Sequence, residues 1–214
     1  MDFTEHSRIA RERWNAIHAD YSPEQIVCDD WLEMFALEIE SCLSPIIDLG
    51  CGGGNDTKYL LERGKKVIAC DYSHAAITNI RKNFPEAVAE CFDMAEGLPF
   101  AEDSADLVIA DLSLHYFSKQ TSEFVLNEIK RVLKKGGLLL ARVNSINDFH
   151  HGAGEGEEIE HHLYRTVDGR LKRFFDKEDI DLFFADWDIT CAAESTMRRY
   201  ALPKALWTLA CRNK

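Results

Sequence analysis

The sequence predicts an α/β fold, a doubly wound sheet with helices on both faces. Three observations predict it. From Pro45 to about Val143, short apolar runs alternate with amphipathic stretches of helical period. The first run, Ile46-Ile47-Asp48-Leu49, leads straight into the glycine turn Gly50-Cys51-Gly52-Gly53-Gly54. Each of the next three runs ends in an acid: Asp71, Asp93 and Asp111. At 214 residues, 46% hydrophobic and 29% charged, the chain has the size and composition of one such domain with a sizeable core.

Taken in order, residues 1–44 read as a helical cap with two helices. One carries Trp14 and Tyr21 and the other Trp31 and Phe35, whose i, i+4 spacing marks a core face. The glycine turn follows the first strand, because glycines bend the backbone tightly and let a ligand approach, while the next helix offers unpaired amide donors. A G-x-G-x-x-G dinucleotide fingerprint would need its third glycine at 55, where Asn55 stands. Asp48, two residues before the first glycine, suits a cationic amino acid end better than a pyrophosphate, which it repels. Helices are expected over residues 56–63, 74–83 (capped by Ser73) and 122–134, the last stopped by Gly136-Gly137.

The second strand ends at Asp71, about 20 residues after the turn, where a carboxylate takes both ribose hydroxyls, with Tyr72 beside it. Asp93 is placed to accept from an adenine amino group, and Met94 packs on the ring. Asp111 and Leu112 lie at the fourth strand tip, facing the reactive end. Together these residues outline S-adenosylmethionine.

Between Ile46 and Val143 the chain resembles the class I S-adenosylmethionine-dependent methyltransferases. The resemblance rests on Asp48 to Gly54, on Asp71, on Asp93 before Glu96-Gly97-Leu98-Pro99-Phe100, and on Glu128 to Gly137 before an apolar strand. It implies a Rossmann-like seven-stranded sheet in the order 3-2-1-4-5-7-6 with the last strand antiparallel. Residues 188–196 and 205–212 then form the closing pair, and S-adenosylmethionine is the cofactor. It further implies that Gly50, Cys51, Gly52 and Gly54 belong to the cofactor turn, and that a cysteine there has no nucleophilic role. The N-terminal helix with Trp14 and Tyr21 resembles an element that lies over the cofactor cleft; aromatics at helical spacing equally fill the groove between a helix and a sheet. A segment running from Val143-Asn144-Ser145 to Arg173-Phe174-Phe175 is similar to small bacterial methyltransferases related to the tellurite-resistance group.

Composition narrows the partners. No apolar run approaches the roughly 20 residues of a membrane span, and the polar N-terminus lacks the apolar core of a signal peptide, so a cytoplasmic protein is expected. Seven cysteines without Cys-x-x-Cys spacing, several within strand patterns, read as reduced small hydrophobes. A net charge of −12 disfavours nucleic acid, and the clusters at 130–135 and 63–66 read as solvated helix ends; a small-molecule methyl acceptor is expected. A nucleic-acid or protein methyltransferase, and a module that binds S-adenosylmethionine without transfer, are the alternatives.

Residues 144–162 follow the fifth strand and are rich in glycine and polar side chains, so they read as a structureless lid beside the acceptor. With residues 45–143 as the cofactor core, residues 144–214 would form this lid and the closing strands. The histidine pairs His150-His151 and His161-His162 match no compact zinc spacing, and no metal is assigned. Candidate acceptor contacts are Trp14, Tyr21, Tyr116, Arg142, Asn144, His150, His151 and Tyr164. His115 is the candidate general base, because an imidazole titrates near pH 6.5 when unperturbed. A base is needed only where the acceptor must lose a proton.

Overall fold

The computed structural model describes residues 3–19 and 26–214. Helix α1 (Phe3–Ala19) is followed by a 3-10 segment (Asp30–Phe35) that continues into α2 (Ala36–Ser41). The core then alternates as expected: β1 (Ile46–Leu49), α3 (Asn55–Glu62), β2 (Val67–Asp71), α4 (His74–Asn83), β3 (Val88–Cys91), β4 (Ala105–Asp111), α5 (Lys119–Val132) and β5 (Leu133–Asn144). Three short strands, β6 (Glu157–Glu160), β7 (Leu163–Arg165) and β8 (Leu171–Arg173), precede α6 (Lys177–Phe183) and the closing strands β9 (Trp187–Met197) and β10 (Lys204–Asn213).

The main sheet runs β3-β2-β1-β4-β5-β10-β9, with β1 to β5 parallel and β10 antiparallel to both neighbours. Counted within this sheet alone, that is the order 3-2-1-4-5-7-6. Strands β1 and β4 at its centre are apolar and almost wholly buried because helices cover both faces. One face packs against α5 and α6 through Val125, Ile129, Ile180 and Phe184, and part of the other against Trp31, Phe35, Ile39 and Leu60. Trp31 and Phe35 are therefore core residues.

Two local features differ from expectation. Helix α5 starts a turn early, because Ser118 accepts a hydrogen bond from the Thr121 amide and caps it. It also ends before Gly136-Gly137. Those glycines sit in a bulge of β5, where three residues of β4 (Ala105 to Leu107) face six of β5 (Leu133 to Leu138), and Gly136 takes a φ of +76°.

The larger correction concerns residues 144–162, which are not structureless. Strands β6, β7 and β8 form a second, antiparallel sheet. Leu163, Leu171 and Phe174 anchor it by burial, and Arg173 is buried in an ion pair with Glu160. The preceding turn is pinned by Asp148, whose carboxylate accepts from Lys204 Nζ at 2.5 Å and from the Ala205 amide at 3.1 Å. Strands this short, one of them Glu-Glu-Ile-Glu, carry too little alternation to announce themselves.

Candidate active site

A cavity of about 660 Å³ opens at the C-terminal ends of β1, β2 and β4, below α1. Gly50, Gly52 and Gly54 bend the chain there with φ of +82°, +50° and +88°, in the left-handed region that favours glycine. Gly50 also has no room for a side chain, since a Cβ would lie 2.3 Å from that of Ser113. Helix α1 is fixed over α4 by Asn15, whose Oδ1 accepts from Ser73 Oγ and the Ala75 amide, and by Asn79, which donates to the His18 carbonyl. That docking places Trp14 and His18 on the cavity wall.

One end of the cavity is acidic. Asp48 accepts a 2.6 Å hydrogen bond from Thr57 Oγ1, yet burial lifts its pKa to about 7, with Asp111 and Asp71 adding repulsion. Asp71 accepts from the amides of Gly52 (3.0 Å) and Ser73 (2.9 Å); burial outweighs those bonds and raises its pKa. Asp56 accepts from Trp31 Nε1, and burial pushes it well above the carboxylate range. Asp93 accepts from the Ala95 amide and from Arg11 Nη2. Asp111 is different. Burial opposes its charge, but Arg142 at 2.6 Å and Arg199 at 2.8 Å outweigh burial and hold it ionised. Tyr72, Met94, Leu112 and Cys51 complete this wall, Leu112 with φ of +55°. Burial raises the Cys51 thiol well above its usual pKa, so it is no thiolate nucleophile.

The other end is basic and aromatic. His115 is 1% exposed, and no described residue partners its Nδ1; burial, then Lys204, Lys172 and Arg170, push its pKa well below 6.5. The ring of Tyr116 meets that of Trp14 edge-on at 5.6 Å. Lys172 donates to the His151 carbonyl at 2.6 Å, and burial with the nearby Lys204 lowers its pKa to about 8. Lys204 is paired with Asp148 and Arg170 with Asp168.

Of the predicted acceptor contacts, Trp14, Tyr116 and His151 line the cavity. Four others do not. Arg142 lies behind it, buried and held by Asp29 and Asp111, so its charge is already neutralised. Asn144 is buried and donates to the Arg173 carbonyl. His150 is exposed on the short 3-10 turn, and Tyr164 packs on Phe174. Tyr21 lies outside the described residues. Sequence reasoning missed His18, Asp56, Arg170, Lys172, Lys204 and Tyr200 as lining residues. Of these, Arg170 and Lys172 stand with Arg173 in a local basic run of the sequence, and the others carry no local signal. Away from the cavity, donor atoms of His161, His162, Asp176 and Asp179 lie within 4.8 Å of one another, but Asp176 and Asp179 form the capping box of α6 and Asp179 also binds His162.

Comparison with known proteins agrees with this architecture. Residues 47–141 match the methyltransferase domain family. An uncharacterized methyltransferase of Synechocystis is 37% identical over 93 residues, covering 44% of this chain and 43% of that protein. A Drosophila melanogaster tRNA N(3)-methylcytidine methyltransferase is 33% identical over 147 residues, covering 63% and 45%. The chain thus spans less than half the length of these curated relatives. Given the tRNA-modifying relative, the low likelihood of nucleic acid drawn from net charge has no support here. Among solved structures, the Burkholderia thailandensis 1,6-didemethyltoxoflavin N1-methyltransferase, with bound 1,6-didemethyltoxoflavin and S-adenosylhomocysteine, aligns with TM-score 0.71 at 18% identity, covering 98% of this chain and 89% of that one. TehB of Haemophilus influenzae aligns with TM-score 0.63 at 14% identity, covering 88% and 63%. Likeness at such identity is one of fold, so the resemblance to the tellurite-resistance group says nothing about the acceptor. Among the described residues no helix is long and apolar enough to cross a membrane. Residues 47–141 thus match a methyltransferase domain, and the sheet order and glycine turn around them give the chain the fold of the S-adenosylmethionine-dependent methyltransferase structures it aligns with.

Proposed function

We propose that the chain transfers the methyl group of S-adenosylmethionine to a small-molecule acceptor by in-line displacement. The observation that carries this reading is a single cavity with carboxylates at one end and an aromatic chamber at the other. The acidic donor set fits the cofactor, whose ammonium, sulfonium, ribose hydroxyls and adenine amine are cationic or hydrogen-bond donating. Asp71 would take the ribose hydroxyls, Asp93 the adenine amine with Met94 on the ring, and Asp48 would face the amino acid end at the turn of Gly50, Cys51, Gly52 and Gly54. Asp111, saturated by two arginines, would act by its field rather than as a direct ligand.

The cofactor supplies an activated methyl group, so this chain's task is alignment and exclusion of water. Trp14 and Tyr116 would hold the acceptor, while burial and the neighbouring cations keep the His115 imidazole neutral and a weak base, so the general-base role expected from the sequence is disfavoured and its Nδ1 would serve as a hydrogen-bonding group toward the acceptor. Titration calorimetry with S-adenosylhomocysteine, followed by transfer of labelled methyl to a small-molecule extract and to bulk tRNA, tests the reading. Cofactor binding with label in small molecules is the expected result. Label in tRNA alone would favour the nucleic-acid alternative that the Drosophila relative raises, and binding without any transfer would leave a binding module.

A further inference from the structure

The basic end of the cavity has one charge more than it needs for its own structure. Lys204 is neutralised by Asp148 at 2.5 Å and Arg170 by Asp168 at 2.8 Å. Lys172 is partly buried on the cavity wall, and no carboxylate among the described residues forms an ion pair with it, although Asp148 and Asp168 act on it from their own pairs with Lys204 and Arg170; its ammonium donates to the His151 carbonyl and stands 5.2 Å from the Phe174 ring centroid. A partly desolvated ammonium without an ion-pair partner is costly, and a fold that needed only the carbonyl contact would be served by a neutral donor. Beside it His115 presents a buried Nδ1 with no partner among the described residues. Two unspent polar groups thus meet in one chamber, walled by the aromatic rings of Trp14 and Tyr116.

Resting on the methyl-transfer reading, we propose that the acceptor is an anion carried on a flat ring, a carboxylate or a phosphate, whose charge pairs with Lys172. The anion supplies the counter-ion that Lys172 lacks, and the carboxylates lining the same cavity repel it toward the lysine. A protein of net charge −12 repels anions at long range, which makes a local unpaired cation the means of selecting one. The burial that lowers Lys172 to about pKa 8 is relieved when an anion pairs with it.

The test uses the full chain saturated with S-adenosylhomocysteine and titrates benzoate, phenyl phosphate, inorganic phosphate and the neutral isostere benzamide. An aromatic anion is expected to bind at least tenfold tighter than benzamide. Lys172→Met should cost that anion about tenfold or more, leave S-adenosylhomocysteine affinity within threefold, and be rescued largely by Lys172→Arg. Benzoate against phenyl phosphate separates a carboxylate from a phosphate; tight binding of inorganic phosphate alone would remove the planar ring from the proposal. Equal binding of benzamide, no binding by any anion, or unchanged anion affinity in Lys172→Met overturns it. A parallel loss of S-adenosylhomocysteine affinity in Lys172→Met overturns it differently, by assigning the lysine to the cofactor's carboxylate. Failure of wild-type protein to bind S-adenosylhomocysteine at all would instead sink the methyl-transfer reading.

Discussion

The two ends of the cavity are built differently. The acids at one end, Asp48, Asp71 and Asp111, each terminate or nearly terminate a parallel strand of the central sheet, so neighbouring strands bring their tips together. The cations at the other end, Arg170, Lys172 and Lys204, come from a small antiparallel sheet and from the start of β10, joined through the buried Asp148. The first end reuses a common scaffold and suits a common cofactor. The second is built from residues outside the matched segment 47–141, and that is where acceptor choice resides on the proposed reading.

The comparison is most sharply broken at Asp111, the acid whose charge is already spent. Arg142→Met leaves Asp111 and Asp29 sharing Arg199 alone in a buried site. A stability loss of about 3 kcal/mol is expected in urea unfolding, as for other broken buried pairs. A loss below about 1 kcal/mol would mean that Arg199 suffices.

Next in size is Gly52→Val, which puts a β-branched side chain at φ +50°, facing His18 across the acidic end. S-adenosylhomocysteine affinity should fall by roughly a hundredfold, about 2.7 kcal/mol, with the circular dichroism spectrum retained. Retained affinity would put the cofactor elsewhere. Asp71→Ala should weaken the same ligand by about 1.5 to 3 kcal/mol, the usual worth of a charge-assisted hydrogen bond. Because Asp71 also holds the Gly52 and Ser73 amides, Asp71→Asn is the companion variant, and affinity within about threefold in both would remove this carboxylate from the site.

The smallest effect is a pH dependence. Asp48 sits at a pKa of about 7 because burial, Asp111 and Asp71 oppose its charge, with Thr57 partly offsetting them. A cationic ligand favours the ionised form, so its binding lowers that pKa and releases a proton. Affinity for S-adenosylmethionine should therefore rise by roughly tenfold from pH 6 to pH 8 and be lost as pH falls through 7. Calorimetry in buffers of different ionisation enthalpy reads the released proton directly, and Asp48→Asn should flatten the dependence. A flat profile in the wild type would show that Asp48 does not face the cation.

The contrast between the two ends also explains what was legible. A strand entering a glycine turn is a local pattern, and parallel strands of near-equal spacing bring their tips together with little freedom, so the acidic wall could be read residue by residue. Arg142 misled because its position at a strand end is visible in sequence while its saturation by Asp29, 113 residues away, is not. Tyr164 misled because it shares a sheet face with the cavity-lining Lys172, its cross-strand partner, yet its ring packs on Phe174 instead of reaching the cavity.

By itself the sequence determined the alternation of strands and helices, the glycine turn with its positive-φ backbone, and the carboxylates at the strand tips, since each depends on residues close together in the chain. Tertiary structure alone decided which of those carboxylates keep a free charge and which are spent. It also decided that α1 covers the cavity and that β6, β7 and β8 form a sheet rather than a loop. The unpaired ammonium of Lys172 belongs to the same class of fact. Whether a charge is neutralised depends on burial and on partners tens of residues away, and those distances exist only after the chain has folded.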